Sequence, residues 1–263
     1  MNKRYFVLFL AVVIFTMAGC GKTSSAPSSP EDVLKKADAA MKELKSVHTS
    51  IVFDESSVTS DPVERDSKKL HIQSNVELDP VKVSEEVVLQ IPKQQPKNLH
   101  IFRQDDQLAV QEEKGDWQAM TEEERKELLD VWVPFTAPAM DLSLLEPFIE
   151  SAELEKIDYG YALQFSLTPA EYRRFMKEVA VNSPMPEQFI HTHTGFPVVE
   201  KMDLELTVNE KTFFVTGMKL SANITSYFGR DYIRYKQKLD ANYSYFNDID
   251  PIQTPAGFAE LLK

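Results

Sequence analysis

Long stretches of this chain alternate apolar and polar residues with a period of two, and that rhythm admits few folds. Val47, Thr49, Ile51 and Phe53 alternate with polar neighbours, and Leu70, Ile72, Val76 and Leu78 repeat the pattern. Tyr161, Leu163, Phe165 and Leu167 fall on one side, as do Met202, Leu204, Leu206 and Val208 against Lys201, Asp203, Glu205 and Thr207. Tyr235, Leu239, Ala241, Tyr243 and Tyr245 are predicted to share a face against Lys236, Lys238, Asp240 and Asn242. Successive side chains of a strand point to opposite faces, so each segment has one apolar side and one wet side. Such segments assemble into an antiparallel sheet solvated on one face. Two turns fit this reading: Lys114-Gly115-Asp116 joins residues 108–111 to 117–120, and Asn209-Glu210-Lys211 sends the chain back.

An apolar sheet face needs a cover, and the sequence supplies amphipathic helices between the strands. Ser29 suits an N-cap, Pro30 the first helical position, and Asp32 stands three residues after Ser29 in capping-box spacing. Val33, Leu34, Ala37, Ala40, Met41 and Leu44 then recur at helical spacing, with Lys35, Lys36, Lys42 and Glu43 mostly opposite. Thr121-Glu122-Glu123-Glu124 again has capping-box form, a further helix is predicted near Asp141, and Thr168-Pro169-Ala170-Glu171 opens one carrying Tyr172, Phe175, Met176 and Val179. The class this predicts is α+β, an antiparallel sheet with helices covering its apolar face. No internal linker forces a second domain, although the Pro-rich stretches around 92–96 and 134–138 leave room for a division.

The first residues tell a separate story. Lys3 and Arg4 are followed by the uncharged, mostly apolar run of residues 5–17, then by the small residues Ala18 and Gly19 and by Cys20. A helix of that run is about 20 Å long, short of a hydrocarbon core of roughly 30 Å. Basic start, short apolar stretch and small-residue exit are the pattern of a cleavable export signal. Met17-Ala18-Gly19-Cys20 resembles the bacterial lipobox, in which Cys receives a diacylglyceryl group and the signal is cut just before it. Met17 stands where that motif usually has Leu, a change that conserves volume and apolarity. Cys20 is the sole cysteine, so an intramolecular disulfide is impossible and its use as an acyl acceptor is the expected one. The expected layout is a signal peptide at 1–19, a lipidated Cys20 with a flexible stalk of small polar residues to 29, and a folded domain at 30–263.

Charge supports a covalent anchor. The chain carries a net −12, and losing Lys3 and Arg4 with the leader makes it −14. A body this acidic is a poor partner for nucleic acid and for anionic lipid heads, so a tether is what keeps it at a membrane. The expected location is the extracytoplasmic face of the cell membrane. With 16 Phe and 9 Tyr and only 8 Gly in the full chain, the composition argues against a disordered body.

The lipobox is joined by further short motifs. They are the helix-to-strand run Met41-Lys42-Glu43-Leu44-Lys45-Ser46-Val47-His48, the Gly115-Asp116-Trp117 hairpin, Thr194-Gly195-Phe196-Pro197-Val198 leading into the strand at 202–208, and the closing stretch 247–255. Together they make the chain resemble the bacterial lipoproteins that share a fold with LolA-type lipoprotein carriers and mycobacterial LppX-like proteins, and within them an uncharacterised branch common in Gram-positive bacteria. The resemblance spans most of residues 30–257. It implies a strongly curved antiparallel sheet, a half-barrel, with helices across its concave side and acyl chains held between the two in the carrier relatives. It brings no catalytic residues.

A search for reactive constellations is mostly negative. There is no Gly-x-Ser-x-Gly, no Gly-rich phosphate loop and no His-Glu-x-x-His, and Cys20 is consumed by lipid. No enzyme activity and no cofactor are expected. His191 and His193, two apart, would share a face of a strand and could hold a metal, but no third ligand is identifiable, and surface histidines are the simpler reading. Glu122, Glu123 and Glu124 read as a solvated first helical turn rather than a cation site. The sequons at Asn223 and Asn242 read as polar strand positions. Tyr235, Tyr243 and Tyr245 could line a ligand groove or simply pack. Two functions remain: a module binding a lipid or other hydrophobic ligand between sheet and helices, or an envelope interaction lipoprotein with a filled core that engages a protein. Apolar side chains facing a core and those facing a ligand have the same period, so the pattern does not separate them.

Overall fold

A computed structural model describes residues 27, 29–60, 65–121, 124–125, 142–172, 174–175, 198–228 and 230–261. Helix α1 (Pro30–Lys42) begins as its sequence dictates: Ser29 is extended and its Oγ accepts the Asp32 N–H at 3.2 Å, with Pro30 in the first turn. Glu31 and Asp32 meet the positive end of the helix dipole and Lys42 the negative end. Val33, Leu34, Ala37 and Met41 form the buried stripe.

The strands are β1 (Ser46–Thr59), β2 (Arg65–Leu78), β3 (Val81–Gln90), β4 (Lys97–Gln104), β5 (Gln107–Glu112), β6 (Gln118–Met120), β7 (Ala152–Ile157), β8 (Gly160–Leu167), β9 (Val198–Asn209), β10 (Val215–Phe228) and β11 (Asp231–Ser244). They form one antiparallel sheet of 11 strands in the order β6-β5-β4-β3-β2-β1-β11-β10-β9-β8-β7. Two meanders thus meet where β11 returns to pair with β1, and among the described residues β6 and β7 stand at the ends of the order. An open sheet this wide curls rather than lying flat, which fits a half-barrel.

Period-two patterning becomes rows across the sheet. One row runs Leu99, Val87, Ile72, Ile51, Ala241, Met218, Leu206, Leu163, Leu154, each opposite the next from β4 to β7. These residues share one apolar cluster with the buried stripe of α1, with Leu142, Leu145 and Phe148, and with Tyr172 and Phe175. The segment expected as a helix near Asp141 is a 3₁₀ helix, Leu142–Ser151, with Pro147 inside it. Proline lacks the N–H that an α-helix interior requires, so a tighter, shorter-range pattern takes its place. Among the described residues the molecule is mostly sheet, its helical parts being α1 and shorter pieces.

A second cluster lies on the other side of β4 and β5. Phe102 and Ala109, directly opposed in register, are covered by Ile252 and Phe258 from the chain that leaves β11, and Phe258 meets the Phe102 ring edge-on at 4.6 Å. Asn247 pins this exit to the start of β1: its Oδ1 accepts the Lys45 and Ser46 N–H groups at 2.7 and 3.2 Å, and its own N–H donates to Ser46 O at 2.8 Å. Among the described residues, the buried members of both clusters lie between Val33 and Phe258.

Candidate functional site

Among the buried rows of the apolar face, one is polar. Glu85 on β3 stands opposite Ser74 on β2, Ser74 opposite Thr49 on β1, and Thr49 opposite Tyr243 on β11. All four are buried, Glu85 at 7% exposure. Ile101, Val87, Val83 and Ile51 surround them in the same lattice. At strand spacing the row is about 15 Å long. Burial pushes the Tyr243 phenol above its ordinary value of 10, and does the same to Tyr172.

Glu85 is answered from outside the sheet. The turn that opens at Thr121 closes a reciprocal box: the Glu124 carboxylate accepts the Thr121 N–H at 2.7 Å, and the Thr121 hydroxyl accepts the Glu124 N–H at 3.1 Å. The next residue, Arg125, directs Nη2 to both Glu85 oxygens, at 3.1 and 2.9 Å. The turn is thus fixed by its own cap, and its cation lands on the one charged residue buried among the described residues. The box also accounts for Glu124, whose carboxyl is held below its usual range by the Thr121 backbone and hydroxyl. Glu122 and Glu123 lie outside the described residues.

The opposite, polar face has a concavity of about 660 Å³ over β8, β9, β10, β11 and β1. Carboxylates and lysines alternate along its floor: Glu205 with Lys219 at 3.2 Å, then Asp240, and Asp203 with Ser166 at 2.8 Å, then Lys238 and Asp54. Exposed pairs of this kind contribute at most about 1 kcal/mol each.

The tyrosine stripe predicted on β11 is partly correct. Tyr235 and Tyr243 do share the apolar face, but β11 ends at Ser244 and Tyr245 turns away at φ 51°, 65% exposed, its ring edge-on to His48 at 6.0 Å. A left-handed residue breaks the alternation, which sequence period does not register. Asn223 and Asn242 occupy polar strand positions on β10 and β11, opposite Lys236 and Gly217. Cys20, His191 and His193 lie outside the described residues, among which no group of three metal-ligating side chains occurs. The Glu85–Arg125 pair was missed from sequence. Its only signal was a carboxylate in phase with Val83, Val87 and Leu89 of β3, while Arg125 had no visible partner.

Fold and site together define a wide antiparallel sheet with one apolar face and a largely buried ion pair set into it. The chain matches the family of unknown function DUF6612 over residues 29–260 and belongs to that family. No curated protein matches the sequence. Among solved structures it is similar to a DUF1329 family protein from Desulfovibrio piger ATCC 29098, at 10% identity and a TM-score of 0.26, covering 88% of this chain and 98% of that one. It is also similar to a proposed outer membrane lipoprotein-sorting protein domain from Vibrio parahaemolyticus, at 10% identity and a TM-score of 0.26, covering 89% and 99%. Likenesses this loose carry no argument. Among the described residues no helix is long and apolar enough to cross a membrane.

Proposed function

We propose that this protein is a membrane-anchored extracytoplasmic lipoprotein, held by lipid on Cys20, whose body binds an amphiphile without catalysing a reaction. The acyl part lies between the apolar rows of the sheet and the helical segments over them, and the polar head meets Glu85 and Arg125. The observation behind this reading is the buried ion pair itself. A buried pair is often replaceable by packed apolar residues with no loss of stability or even a gain, so stability alone is a weak reason to keep one. A site for a ligand with one polar end and apolar chains combines a mostly apolar lining with a few placed polar groups, which is the composition of this face around Glu85 and Arg125.

Organic extraction of the body purified from a membrane-containing preparation, followed by mass analysis, tests the ligand. One lipid per protein is expected, and a body that arrives empty and takes up no added lipid overturns the reading. Fatty-acid labelling tests the anchor: Cys20→Ala is expected to abolish incorporation and release the protein from membranes. A second reading is an envelope interaction protein with a filled core. It is favoured by Val47, Leu206 and Ala241, which are wholly buried on the same face, and it predicts the empty outcome together with one dominant protein partner on cross-linking intact cells.

A further inference from the structure

β1 and β2 continue past the last apolar pair of their shared face, Phe53 and Leu70. Beyond it that face of β1 carries Glu55, Ser57 and Thr59, none of them buried, with Gln237 and Lys68 gathered on Glu55 at 2.7 and 3.9 Å. About six residues of strand, roughly 20 Å, therefore run beyond the part of β1 that the core explains.

The other face of this extension is unlike the rest of an acidic molecule. Tyr232, Arg234, Lys236 and Lys238 follow one another on the same side of β11, with Val58 opposite Arg234 and Tyr227 opposite Tyr232. Lys236 stands between the neutral Ser56 and Asn223, whereas Lys238 stands between Ser221 and Asp54, whose carboxylate lies 3.6 Å from Lys69; neither Lys236 nor Lys238 forms an ion pair among the described residues. Arg234 lies 5.3 Å over the Tyr232 ring and reaches Glu200 at 3.7 Å. Tyr227 meets Tyr232 edge-on at 6.4 Å, and Tyr227 and Val58 are 47% and 37% exposed.

We infer that this strip is a docking surface for an anionic phospholipid membrane, with Lys236, Lys238 and Arg234 on the headgroups and Tyr227, Tyr232 and Val58 at the headgroup–acyl boundary. Charge complementarity selects an anionic partner, and each cation is expected to contribute about fivefold in binding. The exposed Tyr227 ring and the half-buried Tyr232 ring beside it select a membrane over a soluble polyanion. A phosphodiester chain needs only cations, whereas amphipathic tyrosines bury their ring bodies at a lipid interface and keep their hydroxyls wet. The inference rests on the anchored reading, because the residues between Cys20 and Ser29 reach at most about 30 Å and keep the body next to the bilayer. Weak docking then suffices to fix how the body stands, since a tether raises its effective concentration.

The test is co-sedimentation of residues 27–263, which include every buried residue of the two described clusters, with vesicles of phosphatidylglycerol or of phosphatidylcholine at low salt. Binding to the first and not the second is expected. It should fall at least tenfold in Lys236→Glu/Lys238→Glu and several-fold in Tyr227→Ser/Tyr232→Ser, with circular dichroism and thermal midpoint unchanged. Equal binding to both vesicles, no binding to either, or binding untouched by these exposed substitutions overturns the inference. So does poly(glycerol phosphate) binding equally well with the tyrosine pair indifferent. Because this fragment lacks Cys20, its failure leaves the fatty-acid labelling and lipid-extraction results standing, so failure of the strip and failure of the anchor are read separately.

Discussion

Gly160 opens β8 beneath the end of β9, where a Cβ would sit 1.9 Å from the Val208 carbonyl oxygen. Backbone, not a movable side chain, fills that space. Gly160→Ala is therefore expected to cost about 1–3 kcal/mol, read as a lower urea midpoint, and an unchanged midpoint would mean the strands can part there. The Glu85–Arg125 pair makes a different demand. Arg125→Met leaves a carboxylate buried without its cation and is expected to cost about 3 kcal/mol. Adding Glu85→Leu should return most of that loss. If the double variant is no more stable than Arg125→Met, the pair is a structural clamp and loses its significance as a binding feature.

At the scale of elements, two boxes of the same design start helical turns, one at Thr121 and one at Thr168. In the second, the Thr168 N–H and hydroxyl donate to Glu171 at 2.9 and 2.7 Å, and the Glu171 N–H returns a bond to Thr168 Oγ1 at 3.3 Å. The Thr168 backbone bond, then its hydroxyl, hold the Glu171 carboxyl below its ordinary 4.5. A carboxyl depressed in the folded state stabilises it fully above pH 4.5, and the contribution is lost as pH falls through the lowered value. The protection of the Tyr172 amide, which donates to Thr168 O at 2.8 Å, measured against its intrinsic exchange rate, should fall over that window in the native protein and lose this pH dependence in Glu171→Gln. The caps were legible in sequence because capping is local, written within four residues. So were the strands, because alternation is local too: the predicted face of β1, β2, β8 and β9 is the observed one. What period cannot state is which strand pairs with which. The return of β11 to β1 joins residues about two hundred apart, and the same pairing assembles the row from Glu85 to Tyr243. The polar row was hidden for that reason. Each member reads as an ordinary strand residue until the register puts it beside the others.

For the molecule as a whole, the two faces of one sheet carry different tasks. One is apolar, joined by α1 and the 3₁₀ helix, and interrupted by a buried charge; the other is a lattice of carboxylates and lysines open to water, covered at β4 and β5 by the C-terminal segment. The covering segment belongs to the fold: Phe258→Ala removes a fully buried ring from the Phe102 cluster and is expected to cost about 3 kcal/mol in a urea melt, a loss that ligand cannot restore. Occupancy of the apolar face is the central question, and one measurement addresses it directly. Native mass spectrometry of residues 27–263, after mixing with bacterial membrane lipid, compares the unaltered body with the Glu85→Leu/Arg125→Met variant. The account predicts one retained lipid on the first and none on the second, both folded. An empty unaltered body, or equal retention by the two, would contradict it.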